Sequence, residues 1–233
     1  MKINDFKGMF NRTTLTVHSI THPHDDYYVI LFNYPKDLIW APGEHGVFTI
    51  PGKKVSGQPF RIFSIASPPS ETKLMIATSI NEPVSDFKKT LFSLSEGDKV
   101  NMIGPFGWYK TKDTTSPIVL IAAGIGITPN RAMVKQLEYD TRRDIFLVYS
   151  SSDTHLFKEE IDRIAEGNPR FHPFYTKDRN QTRQVYEKLA DTLGNDAIYY
   201  IAGKPKTVLD INKRLRKNGV SFTHIVFDPY IGY

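Results

Sequence analysis

Residues 118–129 read Ile-Val-Leu-Ile-Ala-Ala-Gly-Ile-Gly-Ile-Thr-Pro, and few architectures accept such a run. Unbroken apolar residues describe a strand buried on both faces, as in a parallel sheet covered by helices. The chain must then turn sharply. Gly124 and Gly126 permit a tight turn and let backbone N–H groups come close to a ligand. Thr128 is expected to cap the helix that follows, with Pro129 at its first position. A helix start behind a glycine turn attracts anions, and the pyrophosphate of a dinucleotide is a ligand that suits it. Glycine turns also serve plain strand-to-helix corners, so the segment gains weight from what accompanies it.

The hydrophobic rhythm divides the chain in two. Ahead of this segment lie short strand patterns bounded by turn residues: Thr14–His18, Tyr27–Phe32, Val47–Ile50, Phe60–Ile65, Leu74–Ile80 and Lys99–Ile103. Six of them at short spacing predict an antiparallel barrel or sandwich. One helix interrupts the series, with Val84, Phe87, Leu91 and Leu94 at helical spacing and Glu96-Gly97-Asp98 ending it. The polar stretch Lys112-Asp113-Thr114-Thr115-Ser116-Pro117 marks a boundary, giving domains 1–112 and 113–233. Beyond it strands and helices alternate. Strands are expected at 118–122, 145–149, 171–175, 198–202 and 223–227, with helices at 129–139 and 157–165. Val185, Leu189 and Leu193, then Val208, Ile211 and Leu215, mark two more helices, stopped by Gly194 and Gly219. That pattern predicts a parallel sheet with helices on both faces.

A second motif lies in the first half. Arg61-Ile62-Phe63-Ser64 offers an Arg fork for a diphosphate, an aromatic ring for stacking on a flat heterocycle, and a hydroxyl for a flavin N5. The plain alternative is a half-buried strand with one exposed Arg. Taken in order, Arg61-x-Phe63-Ser64, Gly104-Pro105-Phe106-Gly107, Gly124-Ile125-Gly126-Ile127-Thr128-Pro129, Ala202-Gly203-Lys204-Pro205 and the terminal Gly232-Tyr233 resemble the ferredoxin–NADP reductase superfamily across nearly the whole chain. The resemblance implies an FAD-binding antiparallel barrel followed by a nicotinamide-dinucleotide domain of α/β type, and hydride exchange between NAD(P)H and flavin.

It also implies roles for particular residues. Arg61, Phe63 and Ser64 would hold FAD, with Phe63 standing where the family usually has Tyr. Ala77 and Thr78 would pass beside the flavin ring. Val84 and Ser85, at the start of the barrel helix, would meet the pyrophosphate, although Glu82 replaces the family's Gly; Ser85 also reads simply as an N-cap. Gly104-Pro105-Phe106-Gly107 is a turn in which Phe106 needs no ligand. Gly124, Gly126, Thr128 and Pro129 would take the coenzyme pyrophosphate, joined by Gly203 and Lys204 at the same sheet edge. Ala202 stands where many members have Cys near the reacting nicotinamide carbon. Thr176-Lys177-Asp178-Arg179 resembles the family's Ser-Arg element, so Lys177 or Arg179 would meet a 2′-phosphate, which leans the choice between NADP and NAD toward NADP; a solvated basic loop is the alternative. Asp228 would assist proton movement through Ser64, and Tyr230 or Tyr233 would cover the flavin.

The chain has no cysteine, which excludes disulfides, thiolate catalysis and a cysteine-ligated iron–sulfur cluster on these 233 residues. If electrons pass on, the next carrier is another molecule. The formal charge of +5 suits an acidic one such as ferredoxin or flavodoxin. Basic residues are scattered, with no nucleic-acid motif. His22-Pro23-His24-Asp25-Asp26 reads as a solvated strand connection rather than a metal site. No apolar run is long enough to span a bilayer, and the first residues lack a signal-peptide core. A cytoplasmic location is the expectation.

Overall fold

The computed structural model describes residues 3–24, 27–80 and 83–229. Two compact units divide between Lys110 and Thr111, two residues before the boundary expected from composition.

The first unit is a six-stranded sheet of β1 (Arg12–His24), β2 (Tyr27–Asn33), β3 (His45–Thr49), β4 (Phe60–Ser64), β5 (Leu74–Ser79) and β6 (Lys99–Phe106). Their order is β4-β3-β6-β1-β2-β5, and every pairing is antiparallel. Strand alternation sends Leu15, Val17, Ile30, Phe32, Phe48 and Met102 inward, all at 0% exposure. The outermost strands β4 and β5 meet at a bridge between Ile65 and Ile76, where Ala66 N donates to Met75 O at 2.7 Å. The sheet therefore closes into a barrel, which leaves fewer strand edges unpaired. Helix α1 (Asp86–Phe92) drops Phe87 and Leu91 into the same core.

Two local expectations are corrected. A 3-10 turn over Ile3–Phe10, absent from the sequence reading, precedes β1. Gly107 N donates to Asp5 O at 2.8 Å, and Gly8 sits so close to Pro105 O that a Cβ would come within 1.6 Å. Partners distant in sequence thus hold this segment, and no local pattern announces them. His22 and His24 lie within β1 rather than in a connection: His24 pairs with Tyr27, and the His22 ring stacks on Tyr28 at 4.3 Å. Asp25 and Asp26 fall outside the described residues. Among the described residues no group of three or more His, Cys, Asp or Glu could hold a metal ion. None of their helices is long and apolar enough to cross a membrane.

The second unit is a parallel sheet of β7 (Ile118–Ala123), β8 (Ile145–Ser150), β9 (Phe171–Thr176), β10 (Ile198–Gly203) and β11 (Ile225–Pro229), in the order β11-β10-β7-β8-β9. Strand β7 is central, and its residues from Ile118 to Ala122 are at most 1% exposed. The chain steps outward from β7 through α2 (Ile127–Gln136) and α3 (Lys158–Gly167). It then returns past β7 through α4 (Arg179–Leu193) and α5 (Pro205–Lys217). Right-handed crossovers taken in opposite directions place these helix pairs on opposite faces. Tyr186 and Ala190 of α4 and Val208, Ile211 and Leu215 of α5 share one core with Val119, Ile121, Tyr199 and Ile201. Helices α2 and α3 are tied by a paired Arg131–Glu160 contact, with both N–O distances at 2.7 Å.

A charged knot fixes the turn between α2 and β8. Arg143, 5% exposed, donates to Asp113 O at 2.8 Å and to Asp140 at 3.2 Å. The hydrogen bond from Arg142 above all, aided by Arg143, draws Asp140 down to about 2. A carboxylate whose folded pKa is depressed stabilises the fold above its unfolded value and loses that contribution as the pH falls through the folded one. Asp140→Asn should therefore lower the urea midpoint at pH 7. The gap from the parent protein should narrow as the pH drops from 3.8 toward 2. A gap that stays constant over that interval would remove the carboxylate from the account.

Candidate functional site

In the first unit, the residues assigned to a flavin gather along the barrel seam. Ser64 ends β4 next to the Ile65–Ile76 bridge, and Ala77 and Thr78 follow Ile76 on β5. Ser64, Ala77 and Thr78 are 7%, 4% and 3% exposed. Backbone pairing also places Ser64 opposite His45, which burial keeps neutral with a pKa lowered to about 4. Phe63 belongs to the barrel core. Its ring meets Phe48 edge-on at 5.5 Å and Phe87 at 6.3 Å, so core packing already engages the ring that the sequence assigns to stacking. Arg61 is half-buried and donates to Phe60 O at 2.8 Å and Gln58 O at 3.2 Å, with its guanidinium 5.8 Å from the centre of the Phe87 ring.

Helix α1 supplies the other side of this cluster. Ser85 is its N-cap and accepts from Lys88 N at 3.4 Å, with Val84 immediately before it. Lys88 is the residue that the sequence reading passed over. It is only 7% exposed, and its Nζ donates to Ser79 O, at the end of β5, at 2.7 Å. Burial first, and the Arg61 charge second, pull its pKa down to about 8. A signal was present: Lys88 stands four residues after Val84 and three before Leu91, inside the apolar stripe of its helix. Glu82, Tyr230, Gly232 and Tyr233 lie outside the described residues.

In the second unit, the glycine turn and the Gly203-Lys204 segment meet at the carboxyl edge of the sheet. Strand order reverses between β7 and β10, and open α/β sheets bind ligands outside such a switch point. Ala122 and Ala202 are paired across it. A Cβ on Gly126 would stand 2.2 Å from Ala202 O, so the turn lies flat against the end of β10. Gly124 has a φ of +56° and open space where a side chain would be, which leaves its backbone approachable. Asp228, 7% exposed, lies on β11 opposite Ala202. Lys204 is exposed and precedes Pro205 at the start of α5.

The helix start differs from expectation. Gly124–Gly126 already winds as a 3-10 turn, so α2 begins at Ile127 with Gly126 as its N-cap. Thr128 is therefore a second-position residue, not a cap, and its hydroxyl donates back to Ile125 O. Pro129 occupies the third position rather than the first. It is tolerated there because first-turn N–H groups have no intrahelical acceptor. Both side chains are buried, so they shape the turn from beneath. Lys177 and Arg179 are exposed beyond β9, and Asp178 between them caps α4 by accepting from Asn180 N and Gln181 N.

The chain is thus an antiparallel barrel followed by a parallel sheet with a glycine turn at its switch point. Residues 120–213 match a family described as an oxidoreductase NAD-binding domain. Curated relatives include a component of the Na(+)-translocating NADH-quinone reductase from Idiomarina loihiensis. It is 25% identical over 206 residues, which make up 77% of this chain and 50% of that protein. The corresponding Pseudoalteromonas haloplanktis protein is 29% identical over 153 residues, 60% and 50% of the respective chains. The chain thus spans about half the length of the curated relatives it matches. Among solved structures, a ferredoxin–NADP+ reductase from Neisseria gonorrhoeae with bound FAD and NADP superposes with a TM-score of 0.78 at 15% identity, covering 94% of this chain and 98% of that one. A cytochrome P450 reductase from Amycolatopsis gives 0.80 at 21% identity, with coverages of 94% and 69%. The chain shares the two-module fold of ferredoxin–NADP reductases, and residues 120–213 of its second module match an NAD-binding domain.

The glycines make separable predictions. Gly126→Ala must push the turn away from β10 and should cost about 2 kcal/mol or more in denaturation. Gly124→Ala meets no atom and should cost only the left-handed backbone penalty, about 1 kcal/mol. The reverse order of the two losses would refute the close approach.

Proposed function

We propose that this chain is an FAD-dependent oxidoreductase that takes hydride from NADH or NADPH and passes electrons to an external carrier. The observation that carries the reading is the contact of Gly126 with Ala202 O. It gathers the Gly124–Gly126 turn, Gly203 and Lys204 at the switch-point edge of the NAD-binding module. FAD fits the donor set of the barrel seam: a guanidinium at Arg61, an ammonium at Lys88 and hydroxyls at Ser64 and Ser85. A bound flavin supplies the change from a two-electron donor to one-electron acceptors.

The residues then have distinct tasks. Arg61 and Ser85 hold the flavin diphosphate, and Ser64 offers its hydroxyl to N5. Phe63, Ala77, Thr78 and Val84 form the wall beside the ring, with Tyr233 as its cover. Gly124, Gly126 and Gly203 present backbone to the coenzyme pyrophosphate, while Thr128 and Pro129 fix the shape of that turn. Lys204 adds charge at the same edge. Lys177 selects for a 2′-phosphate, which favours NADP over NAD. Asp228 moves a proton during hydride transfer. The carrier fitting the +5 formal charge is an acidic protein such as ferredoxin or flavodoxin, and a cytoplasmic location goes with that reading. The domain limits 1–112 and 113–233 separate the two tasks.

A second reading has its own support. The curated relatives are components of a larger reductase and about twice this length, and Ala202 replaces the Cys that many family members carry. The chain would then be a flavin electron-transfer subunit, or the reductase component of an oxygenase or of a ferric or flavin reductase. Anaerobic stopped-flow mixing of the purified protein with NADH and NADPH separates these readings. The enzyme reading expects flavin absorbance that bleaches with at least one coenzyme. Yellow protein that neither coenzyme bleaches would favour the non-catalytic subunit, and protein unable to take up FAD would end both readings. Asp228→Asn should slow bleaching by about tenfold or more, on the order expected for a lost proton-transfer group, with FAD affinity unchanged. Equal rates would clear Asp228 of that role.

A further inference from the structure

We propose that Lys88 is a second cationic ligand for the flavin diphosphate, working beside Arg61. The assignment rests on the flavin reading of the barrel seam. The helix phase gives Lys88 an inward position between Val84 and Leu91, where an apolar side chain would complete the stripe. A lysine turned inward costs solvation that a leucine would not. The neighbouring residues make this cost informative. Phe87, next in the chain, lies 5.8 Å beneath the Arg61 guanidinium. The Lys88 ammonium reaches Ser79 O at 2.7 Å, at the end of β5. Two cations are thus collected at one end of the seam, where they repel each other.

A doubly charged anion reverses that balance. A diphosphate presents two phosphoryl groups, and the two side chains are of complementary kind. Arg61 offers a planar fork, and Lys88 offers a compact charge with three rotatable donors. Ser79 O holds the ammonium in place, which lowers the ordering cost when the anion arrives. The low pKa of the lysine agrees with this setting, since burial and Arg61 both disfavour its charge until an anion is present.

The experiment compares Lys88→Met, Lys88→Gln and Lys88→Arg in the full chain by calorimetric titration. FAD and phosphate-free riboflavin serve as probes, each at low and high salt, after thermal melts of the apoproteins. Lys88→Met should fold at least as stably as the parent and bind FAD about ten- to a hundredfold more weakly, as expected when a charge-assisted contact is lost. Riboflavin affinity should be unchanged, and the salt dependence of FAD affinity should be shallower. Lys88→Arg should recover part of the FAD affinity. If Lys88→Met does not fold, Lys88→Gln carries the same expectations. Unchanged FAD affinity, or equal losses for FAD and riboflavin, would overturn the assignment and leave the flavin reading standing. A parent protein that binds neither probe would defeat the flavin reading and this assignment with it.

Discussion

Nothing wider than a hydrogen atom fits between Gly126 and the end of β10. The carbonyl oxygen of Ala202 lies 2.2 Å from where the first side-chain carbon of residue 126 would stand, and this close approach organises the second unit. It lets the turn after β7 lie across the neighbouring strand instead of rising away from it. Glycine at 126 is thus required by space, whereas at 124 it is required by backbone angle alone. The buried residues Ile118–Ala122 of β7 and Ile127–Val134 of α2 flank the turn in the chain. The backbone amides at the sheet edge consequently occupy fixed positions, which is what a site that recognises an anion through amides needs.

The barrel solves a related problem with different means. A six-stranded sheet has two free edges, and here they are brought together at Ile65 and Ile76. Each closing strand is paired on its other side, β4 with β3 and β5 with β2. Polar side chains at the end of a barrel seam are exempt from the packing that governs its middle. That exemption explains why Arg61 and Lys88 lie so near in sequence to a core made of Phe48, Phe63, Phe87 and Ile65.

Much of this was legible from residue pattern. The apolar run before Gly124 announced a central parallel strand, and the observed β7 ends one residue past the expected limit. Strands β8, β9 and β10 do likewise, because β-branched and aromatic residues dominate them and glycine or charge stops them. What escaped notice depended on partners remote in sequence. The turn at Ile3–Phe10 is held by Gly107 and Pro105, far along the chain. The start of α2 was misplaced because Thr-Pro imitates a cap followed by a first helical residue, while the preceding Gly-Ile-Gly had already begun to wind. Lys88 was hidden by its neighbour Lys89: a pair of lysines reads as a solvated face, although only Lys89 is exposed. Leu94 keeps the helical phase beyond Ser93, where the helix has ended, so its burial belongs to the following turn.

On the proposed assignments the two units would handle phosphate in physically distinct ways, and the distinction bears on how long each ligand stays. At the barrel seam the groups facing an anion include side-chain cations, one half-buried and one 7% exposed. Charge partly removed from water attracts strongly and is little screened by salt, which suits a resident group that remains through many turnovers. At the edge of the parallel sheet the glycine turn offers backbone dipoles. The nearby cations assigned to the coenzyme, Lys177 and Lys204, are exposed. Exposed charges are screened and contribute little to affinity at physiological salt, so the ligand held there exchanges readily. On the proposed function, a resident flavin and an exchanging nicotinamide donor would each be matched by the burial of the cations in its unit.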